Sequence, residues 1–107
     1  MNIDIGQLEF IDLKLRKILR HLEIETGYEF TITSLYRIGD KGVHGTLPLR
    51  GADLRMRNQQ IGEAIAKLIN DTWQYNPNNP SMVCGFLHGT GSNLHLHVQV
   101  HPNTVSR

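Results

Sequence analysis

Leu8, Ile11, Leu15, Ile18, Leu19 and Leu22 recur at helical spacing, while Asp12, Arg16, Lys17, Arg20 and Glu23 fall mostly on the other side. That pattern predicts an amphipathic helix. Asp4 with Gln7 behind it, and an Ile3–Leu8 staple, mark its start, and Gly27 suits a left-handed stop. Residues 30–36 are β-branched and aromatic and hold no Gly or Pro, which predicts a strand. Three glycines between Arg37 and Gly45 open a loop. A second strand is expected over residues 51–56. Ile61, Ile65, Leu68, Ile69 and Thr72 then restore the helical period through Trp73, with Asn58 as the cap, and Asn76-Pro77-Asn78-Asn79-Pro80 ends it. Residues 82–88, a turn at 89–93 and residues 94–101 read as a hairpin. The order α-β-β-α-β-β predicts one α+β domain over residues 1–107, a small antiparallel sheet of about four strands packed with two helices.

Composition narrows the function classes. The 107 residues carry eleven Lys+Arg against ten Asp+Glu, a formal charge of +1, so there is no basic surplus of the kind that neutralises nucleic-acid phosphates or anionic lipid. Cys84 is the one cysteine and cannot form an internal disulfide. No apolar run approaches the roughly 18 residues of a membrane span. The start Met1-Asn2-Ile3-Asp4 lacks the regions of a signal peptide, which predicts cytoplasmic synthesis.

Histidine is the unusual entry, with six copies, four of them between His88 and His101. On the last strand Leu94, Leu96, Val98 and Val100 point one way, and His95, His97, Gln99 and His101 the other. A single outward histidine is ordinarily a solvated side chain. Two at i and i+2 share one surface and need only a third donor to make a site for a borderline metal such as zinc. The best donor of further ligands is the segment 44–55, where His44 and Asp53 flank a turn rich in Gly and Pro.

At these two segments the chain resembles the zinc D-alanyl-D-alanine peptidase family, the superfamily that includes murein endopeptidases and the hedgehog signalling domain. The resemblance is carried by Ser34-Leu35-Tyr36-Arg37, then His44 with Gly51-Ala52-Asp53, then His95-Leu96-His97. It implies a hedgehog/DD-peptidase-like fold with His44, Asp53 and His97 as Zn2+ ligands and His95 beside the metal-bound water. It also implies Arg37 on a substrate carboxylate or carbonyl, and cleavage of an amide in bacterial peptidoglycan stem peptides, with a phage lysis protein as a fitting context.

The eight residues between His44 and Asp53 are a longer spacing than the family's usual one, so Thr46 to Leu49 must bulge for both side chains to meet. Gly91-Ser92-Asn93-Leu94 contains no acid where many of these peptidases carry a catalytic Glu, leaving His95 or His88 as candidate base. His88 depends on hairpin register. With a loop of residues 89–93, His88 faces the core and Gly85 lies opposite His97, leaving space for metal; one residue shorter, and His88 and Cys84 both join the imidazole face. A buried Cys84 is the expected role. Arg50, Arg55 and Arg57 read as solvated strand-edge residues or a small basic patch beside the cleft. Two other functions are compatible with these residues. One is a non-catalytic binding or virion-assembly module retaining the fold and a structural zinc; the other is the two-His, one-carboxylate triad of an iron oxygenase, whose usual barrel needs about eight strands.

Overall fold

The computed structural model describes residues 11–36 and 49–107. The Asp4 cap, the Ile3–Leu8 staple and the loop between Arg37 and Gly45 lie outside the described residues. Among those described, two helices and six strands follow one another: α1 (Leu13–Thr26), β1 (Ile32–Tyr36), β2 (Gly51–Arg55), α2 (Gln59–Thr72), β3 (Trp73–Gln74), β4 (Gly85–His88), β5 (His95–Gln99) and β6 (Val105–Ser106). The expected α+β arrangement is present: β1, β2, β5 and β4, in that order, form a four-stranded antiparallel sheet. The short strands β3 and β6, which the apolar pattern does not reveal, pair with each other.

The first helix starts later than its apolar spacing predicts. Ile11 makes a parallel bridge with Leu49, and the Asp12 N–H donates to the Leu49 carbonyl at 2.9 Å, so this stretch is extended rather than helical. The Asp12 carboxylate then caps α1 by accepting from the Lys14 N–H at 2.8 Å. Gly27 ends the helix at φ 70°, the left-handed position that favours glycine. Asn58 caps α2 by accepting from the Ile61 N–H at 3.0 Å.

Leu15, Ile18, Leu19 and Leu22 of α1 and Ile65 and Ile69 of α2 bury against Leu54, Leu96 and Val98 of the sheet. Each fully buried aliphatic side chain contributes about 1.5–3 kcal/mol. The alternation of residues 94–100 appears as expected, with Leu94, Leu96, Val98 and Val100 all in the core.

α2 also decides the register of the hairpin. The Asn70 side-chain N–H donates to the Gly85 carbonyl at 2.7 Å, while its Oδ1 accepts from the N–H groups of Cys84 at 3.1 Å and Gly85 at 3.0 Å. Gly85 packs so tightly on the helix that a Cβ there would come within 3.0 Å of Ile69 Cδ1. With β4 held in this way, Gly85 pairs with Val98, Phe86 with His97 and His88 with His95. The expectation that Gly85 lies opposite His97 is therefore corrected: Phe86 occupies that position. His88 joins the imidazole face, whereas Cys84, one residue before the strand and so outside its alternation, is fully buried in the core. Residues Gly91–Asn93 form a 3-10 turn that closes the hairpin.

No described helix is long and apolar enough to cross a membrane.

Candidate metal and catalytic site

The sheet face that turns away from the core collects the polar residues. β2 contributes Asp53 and Arg55, β5 contributes His95 and His97, and β4 contributes Phe86 and His88. Asp53 pairs directly with His97, and Arg55 with His95. Ser34 reaches the same face through a bulge: Ile32 pairs with Leu54, but the register shifts before Ser34, which pairs with Asp53. A bulge of this kind re-aims the side chains that follow it. Without the extra residue Ser34 would stand opposite Ala52, a core position.

The Ser34 hydroxyl donates to Asp53 Oδ2 at 2.9 Å, so Oδ1 is the oxygen turned toward the imidazoles. His97 Nδ1 lies 3.2 Å from Oδ1 and His95 Nε2 lies 3.9 Å from it. The side chains of Asp53, His97 and His95 are 22%, 14% and 28% exposed, so their charges are only partly screened by solvent.

The outer nitrogens of the two rings fix what the inner ones offer. Gln99 donates its amide N–H to the Val83 carbonyl at 2.8 Å, which turns its Oε1 to His97 Nε2 at 3.1 Å. That oxygen can only accept, so Nε2 carries a proton. The Asn93 carbonyl, 2.9 Å from His95 Nδ1, requires a proton on that nitrogen in the same way. The neutral ring of His95 then presents the Nε2 lone pair toward Asp53, and the protonated ring an N–H. His97 Nδ1 and Asp53 Oδ1 face each other, and two such acceptors approach closely only around a shared cation, either a proton or a metal ion.

A carboxylate oxygen and an imidazole nitrogen are donor types that zinc accepts. Two donors on a tetrahedral zinc, at bond lengths of about 2.0–2.1 Å, stand about 3.3 Å apart, close to the 3.2 Å between Asp53 Oδ1 and His97 Nδ1. Metal-bound histidines almost always donate their other N–H to an acceptor, as His97 does to Gln99. Phe86 packs its ring on His97, with centroids 4.6 Å apart, and restricts its rotation. His44 and Arg37, assigned as a ligand and as a substrate contact by the resemblance, lie outside the described residues. Among the described residues no group of three or more His, Cys, Asp or Glu is arranged to hold a metal.

His88 stands beside His95, with ring centroids 5.2 Å apart, and is exposed. His101 is not part of this cluster. It follows β5, packs on Tyr75 with centroids 5.5 Å apart, and accepts the Asn103 N–H at Nδ1. Cys84 offers no ligand: burial pushes its thiol up to about 11, against smaller opposing effects from a Thr104 hydrogen bond and Arg107. Ser34, Phe86 and Gln99 are contacts of this cluster that spacing alone does not assign. Gln99 could be found from the alternation of the last strand, whereas Ser34 needed the bulge and Phe86 the hairpin register.

No family model, curated protein or solved structure matches this chain.

Proposed function

We propose that this chain is a zinc-dependent metallopeptidase that hydrolyses an amide in bacterial peptidoglycan stem peptides. The observation that supports it is the convergence on Asp53 of two imidazoles whose outer nitrogens are already committed to acceptors. The cell-wall substrate is inferred from the resemblance of the Ser34–Arg37, His44–Asp53 and His95–His97 segments.

In this reading Asp53 and His97 hold the ion, and the resemblance implies His44 as a further ligand. A bound zinc supplies a water whose pKa falls to about 7 and polarises the amide carbonyl. Ser34 holds Asp53 by its Oδ2, and Gln99 holds His97 in the tautomer whose Nδ1 lone pair faces Asp53. His95 takes the proton of the attacking water at Nε2 and returns it to the leaving amine, its Nδ1–H kept in place by the Asn93 carbonyl. Phe86 and His88 flank these groups on the same sheet face.

Elemental analysis of the purified protein, combined with mass spectrometry of a peptidoglycan digest, tests the assignment. His97→Ala should lose zinc and turnover together, and His95→Ala should keep zinc and lose turnover. Stoichiometric zinc in both variants would overturn the ligand set. A second reading is a binding or assembly module with a structural zinc. It is favoured by the fact that Asp53 is the only carboxylate among the described strands of the sheet, which leaves no acidic general base there. Zinc content without any wall cleavage would select it.

A further inference from the structure

We propose that Arg55 and Arg57 form an anion subsite next to His95 that receives a carboxylate of the bound peptide. The claim that this anion belongs to a substrate rests on the peptidase reading. The subsite itself rests on three observations.

The first is position. Arg55 is the register partner of His95 and shares the face of Asp53 and the imidazoles. Directly opposed residues in an antiparallel pair have Cβ atoms about 4.5–5.5 Å apart. Arg55 and His95 are therefore neighbours across β2 and β5.

The second is a cavity of about 400 Å³ bounded by Arg55, Met56, Arg57, Gly91 and Ser92. Met56 is turned into the core, so the polar walls of this cavity are the two arginines and the Ser92 end of the hairpin turn. No acidic residue lines it.

The third is that these charges are uncommitted. Arg50 lies within 3.7 Å of Asp12, an ion pair elsewhere in the molecule. By contrast, among the described residues the side chains of Arg55 and Arg57 make no hydrogen bond or ion pair. Glu29 lines a neighbouring cavity of about 300 Å³ that both arginines also border, yet it pairs with neither. Two guanidinium groups without a partner among the described residues, at one cavity, are suited to a carboxylate, which a planar fork binds in bidentate fashion. The neighbouring cavity continues over Tyr28, Phe30 and Ile61 and would take an apolar group beside the anion.

The test follows the arginine Nε–H signals of the isotope-labelled full chain by NMR during titration with glutarate, with glutaramide as the neutral control. It is run on metal-free and on zinc-treated protein. The proposal requires saturable shifts at Arg55 and Arg57 with glutarate and none with glutaramide. Affinity should fall about tenfold or more in Arg55→Gln and in Arg57→Gln, the scale of a lost charged hydrogen bond. Arg55→Lys should fall in between, keeping charge but losing the fork. Neither side chain has a partner among the described residues, so these variants keep the fold, as the backbone spectrum will show. Unmoved arginine signals, or equal binding by wild type and Arg55→Gln, overturn the subsite. Glutarate binding to protein that takes up no zinc and cleaves no wall leaves the subsite standing and removes the peptidase reading. Zinc uptake and wall cleavage with silent arginines do the reverse.

Discussion

Gln99 connects the fold to the proposed metal chemistry, and replacing it by leucine separates the two. The side chain is 7% exposed and makes two hydrogen bonds, donating to the Val83 carbonyl and accepting from His97 Nε2–H. Leucine fills similar space and makes neither. The Val83 residue is 38% exposed, so water can replace the lost donor there. With a net value of about 0.5–1.5 kcal/mol per bond, the stability loss should be about 1–3 kcal/mol. The larger consequence falls on His97. Once Nε2 has no acceptor the proton is free to move to Nδ1, which blocks the lone pair that faces Asp53. Loss of such an outer partner typically weakens metal binding about 10–100-fold, or about 1.4–2.8 kcal/mol. A competition titration of zinc against a chromophoric chelator, with circular dichroism to verify folding, measures it. Gln99→Glu supplies the control: its carboxylate still accepts from Nε2–H but cannot donate to Val83, so it should retain zinc better than leucine does. A folded Gln99→Leu protein with wild-type zinc affinity would refute the tautomer argument.

Three further outcomes follow from the packing. Asn70→Ala leaves the N–H groups of Cys84 and Gly85 without their side-chain acceptor; it should destabilise by about 2–6 kcal/mol, at about 1–3 kcal/mol per orphaned group, in chemical denaturation. Gly85→Ala pushes a methyl against the buried Ile69, and overpacking of this kind should cost about 1–3 kcal/mol in the same assay. The raised Cys84 pKa means that the native thiol keeps its proton when the unfolded one has lost it. Stability should therefore be insensitive to this group below about pH 8 and fall as pH rises toward about 11. Cys84→Ala should flatten that decline, and native protein at neutral pH should react with iodoacetamide far more slowly than urea-unfolded protein.

Elements specified by neighbours in sequence were legible, and those specified by distant partners were not. The two-residue period of Leu94 to Val100 shows which face is buried, because strand geometry leaves no other way to hide four aliphatic side chains. Asn58 and Gly27 act locally and were identifiable as a cap and a stop. The register of β4 against β5 depends on Asn70, a residue on another element, and on the close approach of Gly85 to Ile69, neither of which leaves a periodic trace. Ile11 falls on the apolar stripe of α1, yet it bridges to Leu49, so the helical period overran the true start. The site divides in the same way. His95, His97 and Asp53 were recognisable by residue type and spacing, whereas Ser34 is aimed by a bulge and Phe86 by the hairpin register. Arg55 was indistinguishable from a solvated edge residue until its pairing with His95 was known.

The central claim is a cation held between the Asp53 carboxylate and an imidazole of the last strand. X-ray absorption at the zinc edge of the metal-loaded chain tests it most directly. A shell of nitrogen and oxygen only, at about 2.0–2.2 Å, with imidazole scattering, is expected for the wild-type chain, and no retained zinc signal for His97→Ala after dialysis. A sulfur ligand, or an all-oxygen shell that His97→Ala leaves unchanged, would contradict it.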